Sequence, residues 1–204
     1  MIERVHWLGH ASFRIDGPPT IYIDPWQLAG KLPPADLILV THDHHDHCSP
    51  DDVKRIRQAG TVIVASQAAA EKLGQGVQAV KPGDRLTVAG VTVEAVPAYN
   101  TTKAFHPKKA GHVGYIVGVG GVRIYHTGDT DPIPEMAGLS VDILLAPVSG
   151  TYVADAAQAA EIVRAVKPKI AVPMHIGSIV GSLADAELFK KLVDCQVVIL
   201  EKEA

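Results

Sequence analysis

The chain has 204 residues, of which 47% are hydrophobic and 20% are charged, a composition typical of a globular domain with a buried core. Its net charge of −3 offers no broad basic surface, so we expect no nucleic-acid partner. Two cysteines are too few for a disulfide framework, and no apolar run is long enough to span a membrane. We therefore expect a cytoplasmic protein without a membrane partner.

Short β-rich segments dominate the first part of the sequence. Alternating and apolar runs predict strands at residues 5–8, 12–15, 20–24 and 37–40. Ser49 as N-cap and Pro50 at the first helical position predict a helix that ends at Gly60. Residues 61–65 predict a buried strand, and an alanine-rich helix is expected to follow it and end at Leu73.

The second part changes from β-rich to alternating strand and helix. Strands are predicted at residues 85–88, 91–96, 113–117, 122–125, 142–146, 169–174 and 196–200, and helices at 154–166 and 184–193. Glycines within residues 118–121 predict a hairpin turn, because glycine accepts positive φ. No linker or repeat divides the chain, so we predict one domain over residues 1–204, with two packed sheets and helices on their outer faces.

The sequence THDHHDH, at residues 41–47, carries four of the chain's 10 histidines directly after a predicted buried strand. A rigid strand that delivers a loop to a sheet edge can fix ligand geometry there. The spacing of His42 and His44 places two imidazoles on one side of an extended segment, whereas Asp46 and His47 can face a second metal. The alternative is a solvated polar loop, but so many histidines and acids in one loop favour a metal site.

Three other predicted strands also end in side chains that can coordinate a metal. Asp24 follows the strand in TIYIDPW, Asp129 lies in the Gly-Asp turn of YHTGDTD, and His175 closes VPMH. Each of them alone is more often a turn aspartate or a hydrogen-bonded histidine. Because they share this place at a strand end, we expect them to converge on one site.

These motifs, in this order, resemble the metallo-β-lactamase superfamily over nearly the whole chain. The segments WLGHASFRI and VPAYN further resemble its compact branch, which includes ascorbate-6-phosphate lactonase-like proteins and other metal-dependent hydrolases. The resemblance implies an α/β (α+β) fold, a four-layer αβ/βα sandwich of two mixed β-sheets with helices on the outer faces. It places the metals at the mouth between the sheets.

The resemblance also implies a set of ligands. These are His42 and His44 for a first metal, Asp46, His47 and His175 for a second, Asp129 as a bridge, and Asp24 as the carboxylate that orients a ligand histidine. The family's third histidine on the first metal is replaced in this chain by Asn100. Asn100 as an oxygen ligand, His106 or His112 as a substitute, and a loosely held first metal are the alternatives.

Imidazoles with a few carboxylates favour Zn²⁺, as one or two ions, and an oxygen ligand at Asn100 makes Mn²⁺ the second choice. The expected chemistry is hydrolysis by a metal-activated water, with Asp46 as the catalytic residue that orients the water or accepts its proton. A non-catalytic metal-binding module and a nuclease are the competing hypotheses. The open pocket expected of so short a chain leaves a homo-oligomer as an alternative to a monomer.

Substrate contacts are predicted at His10, Lys103 and His106. The segment TTKAFHPKKAG, which begins at Thr101, is rich in lysine and indicates a cationic rim for a small anionic ester, lactone or phosphodiester. A solvated loop without a role in binding is the alternative.

Overall fold

A computed structural model describes residues 1–203, which form two stacked β-sheets. The first sheet follows chain order and consists of β1 (Val5–Gly9), β2 (Ser12–Ile15), β3 (Ile21–Ile23), β4 (Leu37–Val40), β5 (Val62–Ser66) and β6 (Val77–Val80). Strands β1 to β3 are antiparallel, whereas β3 to β6 are parallel. Helix α1 (Pro50–Ile56) connects β4 to β5, and helix α2 (Gln67–Leu73) connects β5 to β6.

The second sheet has the strand order β13-β12-β11-β10-β9-β8-β7. Its strands are β7 (Arg85–Val88), β8 (Val91–Pro97), β9 (Val113–Val119), β10 (Val122–His126), β11 (Ile143–Pro147), β12 (Ile170–Met174) and β13 (Gln196–Val197). Strands β7 to β10 are antiparallel and β10 to β13 are parallel, with α3 (Ala156–Val166) and α4 (Leu183–Leu192) in the last two connections. Short 3₁₀ helices occupy Ile2–Arg4, Lys108–Ala110 and Pro134–Met136.

The hydrophobic core lies in three layers, which explains the apolar run of β4. Leu37 and Leu39 belong to the core between the two sheets, whereas Ile38 and Val40 pack beneath α1 and α2. The sequence of a strand that is buried on both faces shows a continuous apolar run instead of an alternating pattern. A third cluster joins the outer face of the second sheet to α3 and α4. The predicted four-layer sandwich of two mixed sheets is therefore confirmed.

Helix α1 is shorter than predicted. It ends at Ile56, because Arg57 turns to an extended conformation with ψ of 138°. The Ile56 carbonyl accepts a hydrogen bond from the Ala35 N–H at 2.8 Å, so the loop before β4 caps this helix end. The predicted stop at Gly60 lies in the turn that follows.

Strands at the sheet edges were predicted less well. Strand β6 was not predicted, since its central residues Gln78 and Ala79 are exposed on the edge of the sheet and carry no apolar pattern. Strand β13 ends at Val197, three residues before the predicted end. The chain then crosses to the first sheet, where the Glu203 N–H donates to the Trp7 carbonyl at 2.9 Å.

The predicted glycine hairpin joins β9 to β10 through Gly120 and Gly121, with φ of 57° and 76°. Two consecutive residues with positive φ match the right-handed twist of the flanking strands. Within residues 1–203, no helix combines the length and apolar character that crossing a membrane requires.

Candidate metal centre

The loop after β4 is anchored by Asp24, which follows the neighbouring parallel strand β3. The Thr41 N–H and hydroxyl both donate to the Asp24 carboxylate at 2.7 Å, and Nδ1 of His47 lies 2.7 Å from the same group. Asp24 is fully buried and has a positive φ of 48°, a conformation that is costly for a residue with a side chain. Asp24 therefore holds both the start of the loop and the orientation of His47.

Asp129, which follows β10, lies at the centre of the site. Its Oδ1 is 3.1 Å from Nε2 of His47, and its Oδ2 is 3.1 Å from Nε2 of His175 and 4.0 Å from Nε2 of His42. His175, which follows β12, is oriented through its Nδ1 by the hydroxyl of Ser149 at 3.0 Å. Sequence reasoning missed Ser149, which carries no motif of its own.

The potential ligand atoms form three overlapping groups. These groups are His42, His44 and His106; His42, His47 and Asp129; and His10, Asp46, His47 and His175, each with its ligand atoms within 4.8 Å of one another. The ends of β1, β4, β10 and β12 supply most of these residues, whereas His106 comes from the long loop between β8 and β9. Carboxyl ends of parallel strands meet at one edge of a sheet, which brings these distant segments together.

The residues of this centre fit a metal ion. Nε2 of His42, His47 and His175 and Oδ1 of Asp129 are buried. None of them forms a well-aligned hydrogen bond with a described residue, although Asp129 lies 3.1 Å from both His47 and His175. Unsatisfied polar atoms are costly in a protein interior, and coordination would use the lone pairs of all four. Neutral imidazoles and ionised carboxylates are the forms that coordinate metals.

The electrostatics of the centre favour those forms at most positions. Burial lowers the pKa of His42 well below its usual range, and burial together with His106 lowers the pKa of His44. Burial opposes the charge of Asp129, but His175 and His47 outweigh it and hold the pKa of that carboxyl well below its usual value.

His47 is the exception, because its pKa is raised. Burial opposes its charge, but the carboxylates of Asp129 and Asp24 outweigh burial and raise the pKa of His47 well above the ordinary value. A metal ion bound at Nε2 would take the place of this proton, since both occupy the same lone pair.

Asn100 is not placed as the oxygen ligand that the sequence suggested. Its Oδ1 accepts from the His106 N–H at 2.9 Å and lies 3.1 Å from Nδ1 of His106, while its Nδ2 donates to the Tyr152 carbonyl at 3.1 Å. Both polar ends of the amide are thereby occupied. Nε2 of His106 instead reaches the centre, 3.3 Å from Asp129. Of the alternatives for the missing histidine, the geometry favours His106 held by Asn100.

Lys103 does not form part of a cationic rim. Its Nζ lies 2.7 Å from Oδ1 of Asp131 and 3.0 Å from Oε1 of Gln158, and its side chain is only 16% exposed. Asp131 is fully buried, and its Oδ2 also accepts from the backbone N–H groups of Thr101 and Thr102 at 2.9 and 3.2 Å. Lys103 thus neutralises Asp131, and its predicted contact with substrate stays a prediction. Sequence reasoning also missed Asp131, which anchors the loop that carries His106.

His10 is fully buried and does not line the open cavity. Its Nε2 lies 3.1 Å from Oδ2 of Asp46, and its ring centroid is 3.9 Å from that of His175. Burial opposes ionisation of Asp46, but the hydrogen bond from His10 outweighs it, so the pKa of that carboxyl is lowered. His10 therefore contacts Asp46, and its predicted substrate contact stays a prediction.

A cavity of about 220 Å³ opens directly above the centre. Its lining residues are His44, His45, Asp46, Phe105, His106, Asp129, Tyr152, His175 and Ile179. His106 thus borders the cavity as well as the histidine cluster. Phe105, Tyr152 and Ile179 form the apolar part of this lining, and the rings of Phe105 and Tyr152 meet edge to face with centroids 4.7 Å apart.

Comparison with known proteins identifies what this arrangement is similar to. Residues 4–175 match the family model of a beta-lactamase superfamily domain. The chain is 36% identical over 217 residues to a UPF0173 metal-dependent hydrolase of Thermococcus kodakarensis, covering 97% of this chain and 96% of that protein. It is 34% identical over 218 residues to a UPF0173 metal-dependent hydrolase of Thermoplasma acidophilum, with 98% and 96% covered.

A solved structure shows the same similarity. The crystal structure of a candidate metal-dependent hydrolase from Parabacteroides distasonis superposes with a TM-score of 0.85 and 34% identity, covering 97% of this chain and 93% of that one. Sequence and fold comparisons therefore point to the same group of proteins.

Proposed function

Because this chain belongs to the β-lactamase superfamily and is a metal-dependent hydrolase, we propose that it hydrolyses a small ester, lactone or phosphodiester with water activated at a pair of divalent ions. The observation that carries this proposal is the convergence of buried Nε2 atoms on Asp129. Such a cluster is costly without a ligand and favourable with one. The anionic substrate expected from the lysine-rich segment has no support from Lys103, which is paired with Asp131.

The overlapping ligand groups support two ions rather than one. We assign His42, His44 and His106 to the first ion, Asp46, His47 and His175 to the second, and Asp129 to both. Asp129 suits the shared position because its two oxygens face different histidines: Oδ1 lies nearest His47, and Oδ2 lies near His106 and His175.

Zinc is the metal that this ligand set favours. Three imidazoles around the first position are typical of Zn²⁺, and taking His106 in place of Asn100 as the third ligand favours Zn²⁺ over Mn²⁺. When bound, the ions would act as Lewis acids and lower the pKa of water towards neutrality, which supplies hydroxide at neutral pH.

The side chains around that water have separate tasks. Asp46 borders the cavity and is held ionised, so it can accept a proton from the attacking water or orient it. His10 donates to Asp46 from below and fixes the direction of the carboxylate. We therefore assign the catalytic role to Asp46 and a positioning role to His10.

The proposal is tested on the zinc-loaded full chain with three probes: p-nitrophenyl acetate, γ-butyrolactone and bis(p-nitrophenyl) phosphate. We expect close to two zinc ions per chain by elemental analysis and turnover of at least one probe. In Asp46→Asn, kcat should fall by about 10²- to 10⁴-fold, the usual contribution of a general base. The matched control is Asp51→Asn, at an exposed acid in the first turn of α1. Full metal content without turnover of any probe would refute the proposal.

A further inference from the structure

The mouth of the cavity has a composition that the hydrolytic chemistry alone does not require. Phe105 is 50% exposed and Ile179 is 42% exposed, and both border the cavity above the histidine cluster together with Tyr152. Single exposed apolar side chains are common and do not by themselves indicate a binding site. Here the exposed Phe105 and Ile179 and the half-buried Tyr152, from three separate loops, border one opening, which is the pattern of a ligand-binding wall.

From this wall we infer that the substrate is an ester or lactone with an apolar acyl chain beside the bond that is cleaved. The inference rests on the proposed hydrolytic function and narrows its substrate class. Water on the faces of Phe105, Tyr152 and Ile179 would be released when an alkyl or aryl group enters, and this release favours binding.

The side chains that line the cavity offer no cation for a substrate with its own negative charge. None of the lining residues within the described part of the chain is lysine or arginine, and two of them are the carboxylates Asp46 and Asp129. Lys103 is paired with Asp131, and Lys108 is paired with Glu135 at 2.7 Å. A phosphodiester would therefore find no protein cation beside the ions, whereas an uncharged acyl group needs none.

The wall is held in a fixed relation to the centre. Phe105 directly precedes His106, whose backbone N–H is bound by Asn100, and the amide of Asn100 in turn donates to the carbonyl of Tyr152. The same contacts that direct His106 into the centre thereby place the two aromatic rings at its mouth. A group bound against these rings would lie next to the reacting bond.

The size of the cavity limits the acyl chain. Its volume of about 220 Å³ lies below the range of ~300–1,000 Å³ found for pockets that hold drug-sized ligands. We therefore expect chains of a few carbons to be accommodated and a bulky group to project past Phe105 into solvent.

The test compares p-nitrophenyl acetate, butyrate and hexanoate with bis(p-nitrophenyl) phosphate, on the zinc-loaded full chain. We expect kcat/KM to rise about two- to fourfold for each methylene that leaves water, and the phosphodiester to be the poorest substrate. Phe105→Ala should reduce this rise, lowering the ratio of hexanoate to acetate kcat/KM about tenfold. The control is Leu188→Ala, a 49% exposed leucine of α4 that does not line the cavity.

A second measurement does not depend on turnover. Hexan-1-ol and ethanol, which the enzyme cannot hydrolyse, are titrated into the zinc-loaded protein and followed by amide chemical shifts. Tighter binding of hexan-1-ol, with shifts at Phe105 and Ile179 that are lost in Phe105→Ala, supports the inference.

The outcomes separate the inference from the proposed function. Ester hydrolysis at rates independent of chain length, or a preference for the phosphodiester, overturns the inference and leaves the hydrolytic function standing. Failure to hydrolyse any probe counts against the hydrolytic function, and equal binding of the two alcohols then overturns the apolar wall as well.

Discussion

Two loops bring imidazoles to one centre, and they are supported in opposite ways. The loop at residues 41–47 leaves the parallel part of the first sheet and carries several of the potential ligands within seven residues. The loop at residues 100–112 is longer and contributes His106 alone to the ligand groups. The first is anchored by the adjacent strand end, through Asp24, and the second by Asp131, which lies 28 to 30 residues further along the chain.

The two loops differ in which contacts hold their histidines in place. Residues 41–47 need only the register of β3 and β4, which places Asp24 beside Thr41. Residues 100–112 need a buried salt bridge between Lys103 and Asp131 and the amide of Asn100 before His106 points inwards. The first loop is therefore rigid because of its strand, whereas the second is rigid because of its side-chain contacts. Four predictions test this comparison.

The largest effect is expected for Asp24→Ala. Removing this carboxylate leaves the Thr41 N–H and His47 without their buried partner, at a cost of about 3 kcal/mol in the free energy of unfolding. Loss of an orienting group should also weaken the second ion about 10- to 100-fold. Urea unfolding and metal titration measure the two quantities, with Asp51→Ala as the exposed control. Unchanged metal affinity would show that the first loop does not depend on Asp24.

A smaller but more selective effect is expected for Asp131→Asn. The substitution removes the charge that Lys103 neutralises while keeping an oxygen for Thr101, so the cost should be about 2 kcal/mol. Affinity for the first ion should fall about tenfold as the His106 loop loosens, with the second ion retained. Equal losses at both ions would contradict the separate support of the two loops.

Asn100→Ala should have a milder effect than Asp131→Asn. It removes two hydrogen bonds to His106 and one to the Tyr152 carbonyl, so unfolding should become about 1 kcal/mol easier. The first ion should bind more weakly while the loop remains anchored at Asp131. Asn100→Asp keeps the oxygen that faces His106 and should restore most of the metal affinity. If Asn100→Ala bound both ions as tightly as the unchanged chain, Asn100 would have no positioning role.

The smallest effect is expected for Lys108→Ala, in the same loop. Its ion pair with Glu135 is exposed to solvent, where screening leaves little net energy. Metal content, metal affinity and the urea midpoint should all match those of the unchanged chain. A loss comparable to that of Asp131→Asn would show that loop charge in general, and not the buried anchor, supports His106.

Much of the fold was predictable because its elements follow local rules. The apolar run LILV, the Ser49–Pro50 helix start and the glycine hairpin each specify local structure through their own residues. Strand β6 was not predicted because an exposed edge strand needs no apolar pattern. It is held in the sheet by the pairing of its backbone with β5. Helix α1 ends early because Arg57 is extended, and the N–H of the distant Ala35 satisfies the Ile56 carbonyl at that end.

The sequence by itself indicated where the proposed metal centre would lie. Asp24, Asp129, His175 and the segment 41–47 each follow an apolar strand, and strand ends of a layered α/β fold share one edge. These positions depend on hydrophobic periodicity and on chain order, both of which can be read without coordinates.

Only the tertiary structure shows which histidine completes the cluster and which side chains lie at the mouth of the cavity. His106, Asn100 and Asp131 come together across a long loop and a sheet, and Lys103 is neutralised by a carboxylate that lies 28 residues away. The sequence alone does not show whether a lysine is paired, because its partner depends on which side chains lie close to it in the folded chain. The apolar wall of the cavity likewise arises because three loops distant in sequence converge on one opening.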